Sequence, residues 1–176
     1  PAQKTAIRYL KKYGEGKKIY IAGHSKGGNL AMYSALHIRE EIFENIIKVY
    51  CFDAPGISET IKDINEAKRR FKKIRGYTPQ TAIIGRLFQH YEKDIVVSST
   101  SKGLYQHDIL SWEVEVNKFK RLESRDKDSL HIEQKIDKML ETMSPVLKEE
   151  FVEIGYGLFM RTQSLCSRLT TALQIM

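Results

Sequence analysis

The sequence predicts an α/β fold with a largely parallel sheet flanked by helices. Short β-branched segments alternate along the chain with amphipathic ones, and a glycine-rich turn joins the first strand directly to a helix. Alternating strands and helices are typical of βαβ units, whose functional loops lie at the carboxyl ends of the strands. The chain has 176 residues, of which 41% are hydrophobic. That is enough for one core, and we predict one domain over residues 1–176.

The first predicted elements are a helix, a strand and a second helix. Apolar residues recur at helical spacing over residues 2–13, and glycines end that helix. Residues 18–22 are β-branched and bounded by glycine, which predicts a buried strand. A sharp turn follows at residues 23–28, and helical periodicity returns over residues 29–39. The turn therefore lies between the end of a strand and the start of a helix.

The later segments predict further strands and helices. Residues 46–52 are rich in isoleucine, valine and aromatic residues, and a loop follows at residues 53–56. The remaining predicted elements are a helix over 58–73, strands over 82–88, 95–98 and 110–116, a helical pattern from 129, and a helix start at Ser144-Pro145. In a parallel sheet, the loops that carry Gly23, Asp53 and Asp94 would meet at one edge.

The composition excludes several other classes of protein. No stretch approaches the roughly 18 apolar residues of a membrane span, and residues 1–4 contain no apolar signal-peptide region. The two cysteines, Cys51 and Cys166, have no spacing typical of a disulfide framework or a metal site. We therefore predict a cytoplasmic protein with no metal and no other cofactor.

The formal charge of +7 predicts attraction to anionic surfaces. Basic residues crowd two segments, residues 11–18 and residues 68–75. Solvated helix faces explain most runs of this kind, and an anionic membrane surface is the alternative partner for the second segment. Nucleic acid is disfavoured as a partner, because only Phe71 interleaves with these basic residues and no nucleic-acid motif is present.

Residues 23–27, Gly-His-Ser-Lys-Gly, have the pattern of a nucleophile elbow. Such a turn holds a serine hydroxyl clear of its neighbours, and the two glycines let strand and helix pack closely. The context required by the pattern is present, since a predicted strand precedes it and a predicted helix follows it. The sequence thus predicts Ser25 as the nucleophile of an α/β-hydrolase, with the backbone N–H of Lys26 as an oxyanion donor.

A serine nucleophile needs a base, and the base needs an acid that follows the serine and precedes the histidine in the chain. His107 is favoured as the base because it lies in a late loop, residues 103–108. His131, in a helical pattern, is the reserve. His24 and His37 lie in the elbow and its helix, from which neither ring swings easily back to the serine.

Asp94 is favoured as the acid. It follows a later strand region and precedes His107 by a short connection, which suits a group that holds the imidazole tautomer and stabilises its cation. Asp53 is the alternative, because it ends the strand after the elbow helix, although an aspartate before a proline-containing turn is also a common structural feature. Glu92 is nearer a loop tip and less favoured, and His90 precedes the favoured acid.

The segment Gly-His-Ser-Lys-Gly-Gly-Asn-Leu-Ala at 23–31, followed by Phe-Asp-Ala-Pro-Gly at 52–56, resembles the fungal-type class three lipases and a related bacterial lipase-like family of unknown function. The resemblance to the bacterial family covers most of residues 18–118, through the segments at 83–87, 91–94, 106–108 and 111–114. It implies a serine hydrolase acting on carboxylic esters, such as acyl lipids or acylglycerols, through Ser25, Asp94 and His107.

The relatives also differ from this chain. They carry several strands before the elbow strand, one of whose loops supplies a second oxyanion donor, whereas about 17 residues precede that strand here. They usually have an apolar residue in place of Lys26. They also carry a histidine near a tryptophan, upstream of the catalytic histidine, and His107 with Trp112 matches that non-catalytic pair as well. We therefore expect the C-terminal part of a hydrolase fold, with an exposed sheet edge that favours a homo-oligomer. The alternative function is a catalytically silent binding or assembly module.

Overall fold

The computed structural model describes residues 2–57 and 64–144, together with residues 146, 147, 150, 151, 154 and 157. The chain divides into two compact units, Pro1–Asp137 and Lys138–Met176. The main sheet and every candidate site residue belong to the first unit. A single domain over residues 1–176 stays a prediction.

Four parallel strands form the main sheet, in the order in which they occur in the chain. They are β1 (Ile19–His24), β2 (Ile46–Phe52), β3 (Ile74–Pro79) and β4 (Lys93–Val97). The helices are α1 (Ala2–Gly14), α2 (Lys26–His37), α3 (Glu40–Phe43), α4 (Ile64–Phe71) and α5 (Lys127–Glu141). A small antiparallel pair is made by β5 (Val114–Glu115) and β6 (Lys118–Phe119). The predicted α/β class with a parallel sheet flanked by helices is confirmed.

The predicted strand over residues 82–88 is wrong. That segment is a loop with one 3-10 turn, Ile84–Arg86, and the third strand is instead β3, which the sequence analysis did not predict. Strand β3 reads Ile-Arg-Gly-Tyr-Thr-Pro, so its glycine and proline masked its alternating pattern. Most of the predicted strand over 110–116 is also 3-10 turn and loop, and only β5 is extended within it.

Two predicted helix starts fall partly on residues outside the described part of the chain. Helix α4 is described from Ile64, and residues 58–63 of the predicted helix over 58–73 lie outside the described residues. Pro145, at the predicted helix start Ser144-Pro145, also lies outside them. Within the described part of the chain, no helix is both long enough and apolar enough to cross a bilayer.

The hydrophobic core lies between one face of the sheet and the helices. Helix α2 packs on β1 and β2, and α1 and α4 pack against α2. Buried apolar side chains from all these layers meet there, including Met32, Ala35, Phe43, Ile46, Val49 and Ile74. Burying each such side chain stabilises the fold by about 1.5–3 kcal/mol. The packing on this face therefore holds the strands in place, and with them the loops at their carboxyl ends.

Strand β1 is paired with β2 alone among the described strands, so it forms an edge of the sheet. Tyr20 on this strand is 64% exposed. A groove beside it is lined by Tyr9 and Leu10 of α1, Ile21 of β1 and Leu30 of α2. An unpaired edge can accept a further strand, and a homo-oligomer through this edge stays a prediction.

Strand β1 and helix α2 approach each other closely at Gly23. A Cβ atom there would lie 2.3 Å from the backbone of Gly27, and one on Gly28 would lie 2.5 Å from the Ala54 Cβ. A Cβ on Gly27 would meet nothing within 4 Å, because that position faces the groove beside β1. The close packing predicted from the two elbow glycines therefore depends on Gly23 and Gly28.

The basic segment at residues 68–75 is partly neutralised. Arg69 pairs with Glu40, Glu44 and Glu66 at 2.6, 2.8 and 2.9 Å, and its hydrogen bonds lower the pKa of Glu66 to about 2. Arg70 is buried and donates to the carbonyls of residues 35 and 38 at 3.0 and 2.8 Å. These two arginines hold α4 to neighbouring elements. Contact with an anionic membrane surface stays a prediction.

The glycine packing predicts opposite results for two neighbouring substitutions. Gly23→Ala forces a Cβ into the helix backbone, and we expect it to destabilise the protein by about 3 kcal/mol. Gly27→Ala places its methyl group in open space within a helix, where alanine is favoured over glycine, so we expect stability to be unchanged or raised by up to about 1 kcal/mol. Thermal unfolding followed by circular dichroism measures both, and equal melting temperatures would contradict the packing argument.

The burial of Arg70 predicts a loss of stability when its guanidinium is removed. Arg70→Met leaves two buried carbonyls without their charged donor and removes one of the two arginines that pair with Glu40 and Glu66, so we expect a loss of about 3 kcal/mol. Lys68→Met, which removes an exposed charge of the same helix, should change stability by less than about 0.5 kcal/mol. Urea unfolding midpoints provide the comparison. A similar small effect of both variants would show that Arg70 acts only as surface charge.

Candidate functional site

Ser25 lies in the turn between β1 and α2. Its backbone has φ 55° and ψ −128°, a conformation that side-chain-bearing residues rarely adopt and that costs about 1–3 kcal/mol. Its N–H donates to the carbonyl of Phe52 at 2.9 Å, and its own carbonyl accepts from Gly28 and Asn29 at 3.0 and 3.2 Å. The end of β2 and the first turn of α2 therefore hold Ser25 in the strained conformation.

The Ser25 hydroxyl is buried and unpaired. The residue is 3% exposed, and its Oγ has no hydrogen-bond partner among the residues that the structure describes. A buried polar group without a partner costs about 1–3 kcal/mol, and native proteins contain few of them. Ser25 Oγ therefore makes no hydrogen bond to His107 among the described residues, and proton transfer between them requires the two side chains to come within hydrogen-bond reach.

His107 and Asp53 form a buried hydrogen-bonded pair. The His107 Nδ1–H donates to Asp53 Oδ2 at 2.6 Å, and the two side chains are only 2% and 1% exposed. Because the ionised carboxylate can only accept, this bond places a proton on Nδ1. In the neutral ring the basic nitrogen is then Nε2, so the pair is set up to take a proton at one defined atom.

Asp53 directly follows β2 and is held by two hydrogen bonds besides the one to His107. Its φ is 41°, its N–H donates to the carbonyl of Tyr77 at 2.7 Å, and its Oδ1 accepts from the N–H of Gly85 at 3.0 Å. A Cβ on Gly85 would lie 2.1 Å from that Oδ1. Gly85 is thus a site residue that the sequence analysis missed. The available signal was a glycine within an apolar run, which often marks close backbone approach.

The segment carrying His107 is a 3-10 turn, Gly103–His107, and its end is held by hydrogen bonds from the side chain of Trp112 and the backbone of Thr81. The Trp112 indole N–H donates to the carbonyl of Gln106 at 2.8 Å. The Gln106 side chain accepts from the N–H of Thr81 at 2.8 Å. These bonds fix the backbone immediately before His107.

His24, the last residue of β1, contacts His107 directly. Its Nε2–H donates to the His107 carbonyl at 2.7 Å, and the two rings lie 4.5 Å apart between centroids. Burial and the neighbouring charge of His107 lower the pKa of His24. The sequence analysis set His24 aside as a base, and the structure places it against the backbone of the favoured one.

The structure does not bring Asp94 to His107, contrary to the sequence analysis. Asp94 lies within β4, where it pairs with Gly76, rather than in a loop after a strand. Three strand spacings, about 14 Å, separate β4 from β1. Its Oδ2 accepts from Thr78 Oγ1 at 2.8 Å and lies 3.4 Å from Arg86. The alternative acid, Asp53, occupies the position beside His107 that was expected for Asp94.

The other candidates lie in different surroundings. Hydrogen bonding joins His90 Nδ1 and Glu92 Oε1 at 2.7 Å; burial raises the pKa of Glu92, but the bond and charge of His90 lower it overall. His131 is an exposed residue of α5. Lys26 begins α2 directly after Ser25, so its backbone N–H lies at the N-terminus of that helix.

Cys51 is not part of this site, and the described residues contain no cluster that could bind a metal ion. Cys51 is buried, donates to the carbonyl of Gly28 at 3.4 Å, and has its thiol pKa raised by burial. In the described residues, no group of three or more histidine, cysteine, aspartate or glutamate side chains is placed to hold a metal ion.

Comparison with known proteins gives one match at the family level. No curated protein matches this chain. A family model described as Mbeg1-like matches residues 1–157, which include every residue of the site described above. The chain therefore belongs to the Mbeg1-like family, a lipase-like family.

Proposed function

We propose that this chain is a serine hydrolase of carboxylic esters, with Ser25 as nucleophile, His107 as base and Asp53 as acid. The observation that carries the proposal is the buried His107–Asp53 pair beside a strained turn whose serine hydroxyl is unpaired. The bond between His24 and the His107 carbonyl links the base to the residue before the nucleophile. Membership of a lipase-like family supports a hydrolase of this kind.

The reaction follows from the protonation state of the pair. His107 Nε2 takes the proton of Ser25 as its Oγ attacks the ester carbonyl, and Asp53 stabilises the imidazolium through Nδ1–H. The tetrahedral intermediate then expels the alcohol, which receives the proton from Nε2, and an acyl-enzyme remains. Water attacks the acyl carbonyl with Nε2 as base, and collapse of the second intermediate releases the acid and restores Ser25.

The oxyanion of each intermediate is assigned to the N-terminus of α2. The N–H of Lys26 follows Ser25 directly, and the positive end of the helix dipole favours negative charge there. One such donor contributes about 10²–10³-fold to the rate. The chain order of the three side chains, serine then aspartate then histidine, is that of α/β-hydrolases, which supports assignment to that fold.

The substrate class follows from the resemblance to class three lipases. An acyl lipid or acylglycerol carries the carboxylic ester that this chemistry cleaves, and it is the substrate we propose. A catalytically silent binding or assembly module is the competing function, and it would retain the fold without the reaction.

A fluorophosphonate probe tests the nucleophile. We expect the probe to label the full chain at Ser25 and to leave the Ser25→Ala variant unlabelled, because only an activated serine attacks phosphorus at a useful rate. Ser34→Ala is the matched control, since Ser34 is also buried but its hydroxyl donates to the carbonyl of Leu30 at 2.7 Å. Mass spectrometry of the labelled peptide locates the adduct. No adduct on folded protein would favour the silent module.

A pair of aspartate substitutions tests the acid. Asp53→Asn offers an amide N–H where the carboxylate accepts, which disfavours the Nδ1–H tautomer, so kcat should fall by roughly 10³–10⁴-fold. Asp94→Asn, a change of the same size in β4, should alter kcat by less than about fivefold, because that side chain contacts Thr78 and Arg86 instead. Hydrolysis of p-nitrophenyl esters measures both rates. The reverse ranking would assign the acid to Asp94.

A further inference from the structure

The residue between Gly23 and Ser25 is left open by the elbow pattern, which asks only for glycine, serine and glycine. In this chain it is His24, the last residue of β1. Its ring is half-buried against His107, although the proposed reaction gives it no proton to move. The proposed reaction thus does not explain why a titratable side chain lies against the proposed base.

The first contact is a hydrogen bond to the backbone of the base. His24 Nε2 lies 2.7 Å from the His107 carbonyl oxygen. A carbonyl only accepts, so Nε2 carries the proton and donates it. The bond joins the end of β1 to the end of the 3-10 turn Gly103–His107, 83 residues away in the chain. The bond uses no atom of the His107 ring.

The second contact is between the rings. The centroids of His24 and His107 are 4.5 Å apart, and the ring planes are tilted by 36°. This packing blocks rotation of the His107 ring on one side, while the bond to Asp53 fixes its Nδ1 edge. Together the contacts restrict the orientation of the imidazole.

We infer that His24 is a positioning residue for the base: it ties the backbone and ring of His107 to the strand that carries the nucleophile. The inference rests on the proposed function. Its physical reason is that proton transfer depends on distance, and a misplacement of about 1 Å can cost about 10²-fold in rate. A bond from the residue next to Ser25 to the backbone of His107 sets that distance directly.

The electrostatics of the pair agree with this role. His107 becomes a cation during the reaction, and a second cation 4.5 Å away would oppose that step. Burial and the charge of His107 lower the pKa of His24, which keeps its ring neutral. The bond to the His107 carbonyl acts in the opposite direction on the pKa of His24, as do Asp53 and Asp108, but they do not outweigh burial and the charge of His107.

Three variants of the full chain separate the contacts. His24→Phe keeps an aromatic ring and removes the donor, and His24→Gln keeps a donor of similar reach and removes the ring. His37→Phe is the matched control, because His37 on α2 also bonds a carbonyl, that of Tyr33 at 2.8 Å, and stacks on that residue's ring at 4.0 Å. Circular dichroism confirms that each variant is folded.

The first measurement is steady-state ester hydrolysis. We expect His24→Phe to lower kcat by about 10- to 100-fold with KM within about twofold, because substrate binding does not use this bond. His24→Gln should recover kcat to within about threefold of the parent, and His37→Phe should leave both constants within about twofold. A merely structural role would not be rescued by glutamine.

The second measurement does not depend on activity. The proton between His107 Nδ1 and Asp53 gives a downfield NMR resonance, which we expect in the parent and in His37→Phe, and broadened or lost in His24→Phe. If kcat and this resonance are both unchanged in His24→Phe, the inference is overturned, and a fall in kcat with the resonance unmoved overturns it as well. Should the parent fail to hydrolyse esters or react at Ser25, the proposed function fails, and the resonance alone decides the role of His24.

Discussion

The buried hydrogen bond between His107 and Asp53 is the interaction on which the candidate site depends. It joins a loop near residue 107 to the end of β2 across 54 residues of sequence, and both side chains are almost completely removed from water. A carboxylate buried at this depth is stable only with partners on both oxygens. The N–H of Gly85 supplies the second partner, so three separate segments of the chain converge on one carboxylate.

The sheet order explains why these groups meet. Strands β1 and β2 are neighbours and parallel, so Ser25 and Asp53, which directly follow them, lie at the same edge of the sheet. The N–H of Ser25 bonds to the carbonyl of Phe52, and this locks the two strand ends together. Asp94 lacks this relation because β4 is three positions from β1, which places it beside Arg86 and Thr78 instead.

Local patterns in the sequence predict the part of the site that depends on consecutive residues. The elbow at 23–27 has a strand, a turn and a helix in direct succession, and β2 agrees with its predicted range of 46–52. The partner of His107 could not be chosen this way, because that choice depends on which strand is adjacent to β1 and where β4 begins. The contact of Gly85 with Asp53 could not be predicted either, because an apolar run that forms a loop can have the same composition as one that forms a buried strand.

Backbone strain alone does not identify a functional residue in this protein. Phe88 and Val116 also have positive φ, at 67° and 60°, yet neither belongs to the site. Ser25 differs because a strained backbone coincides with a buried, unpaired hydroxyl, a combination found at no other residue in the described part of the chain. Each of the two features costs about 1–3 kcal/mol. A glycine at this position would remove both costs, and the proposed role of Ser25 as nucleophile gives its hydroxyl a use.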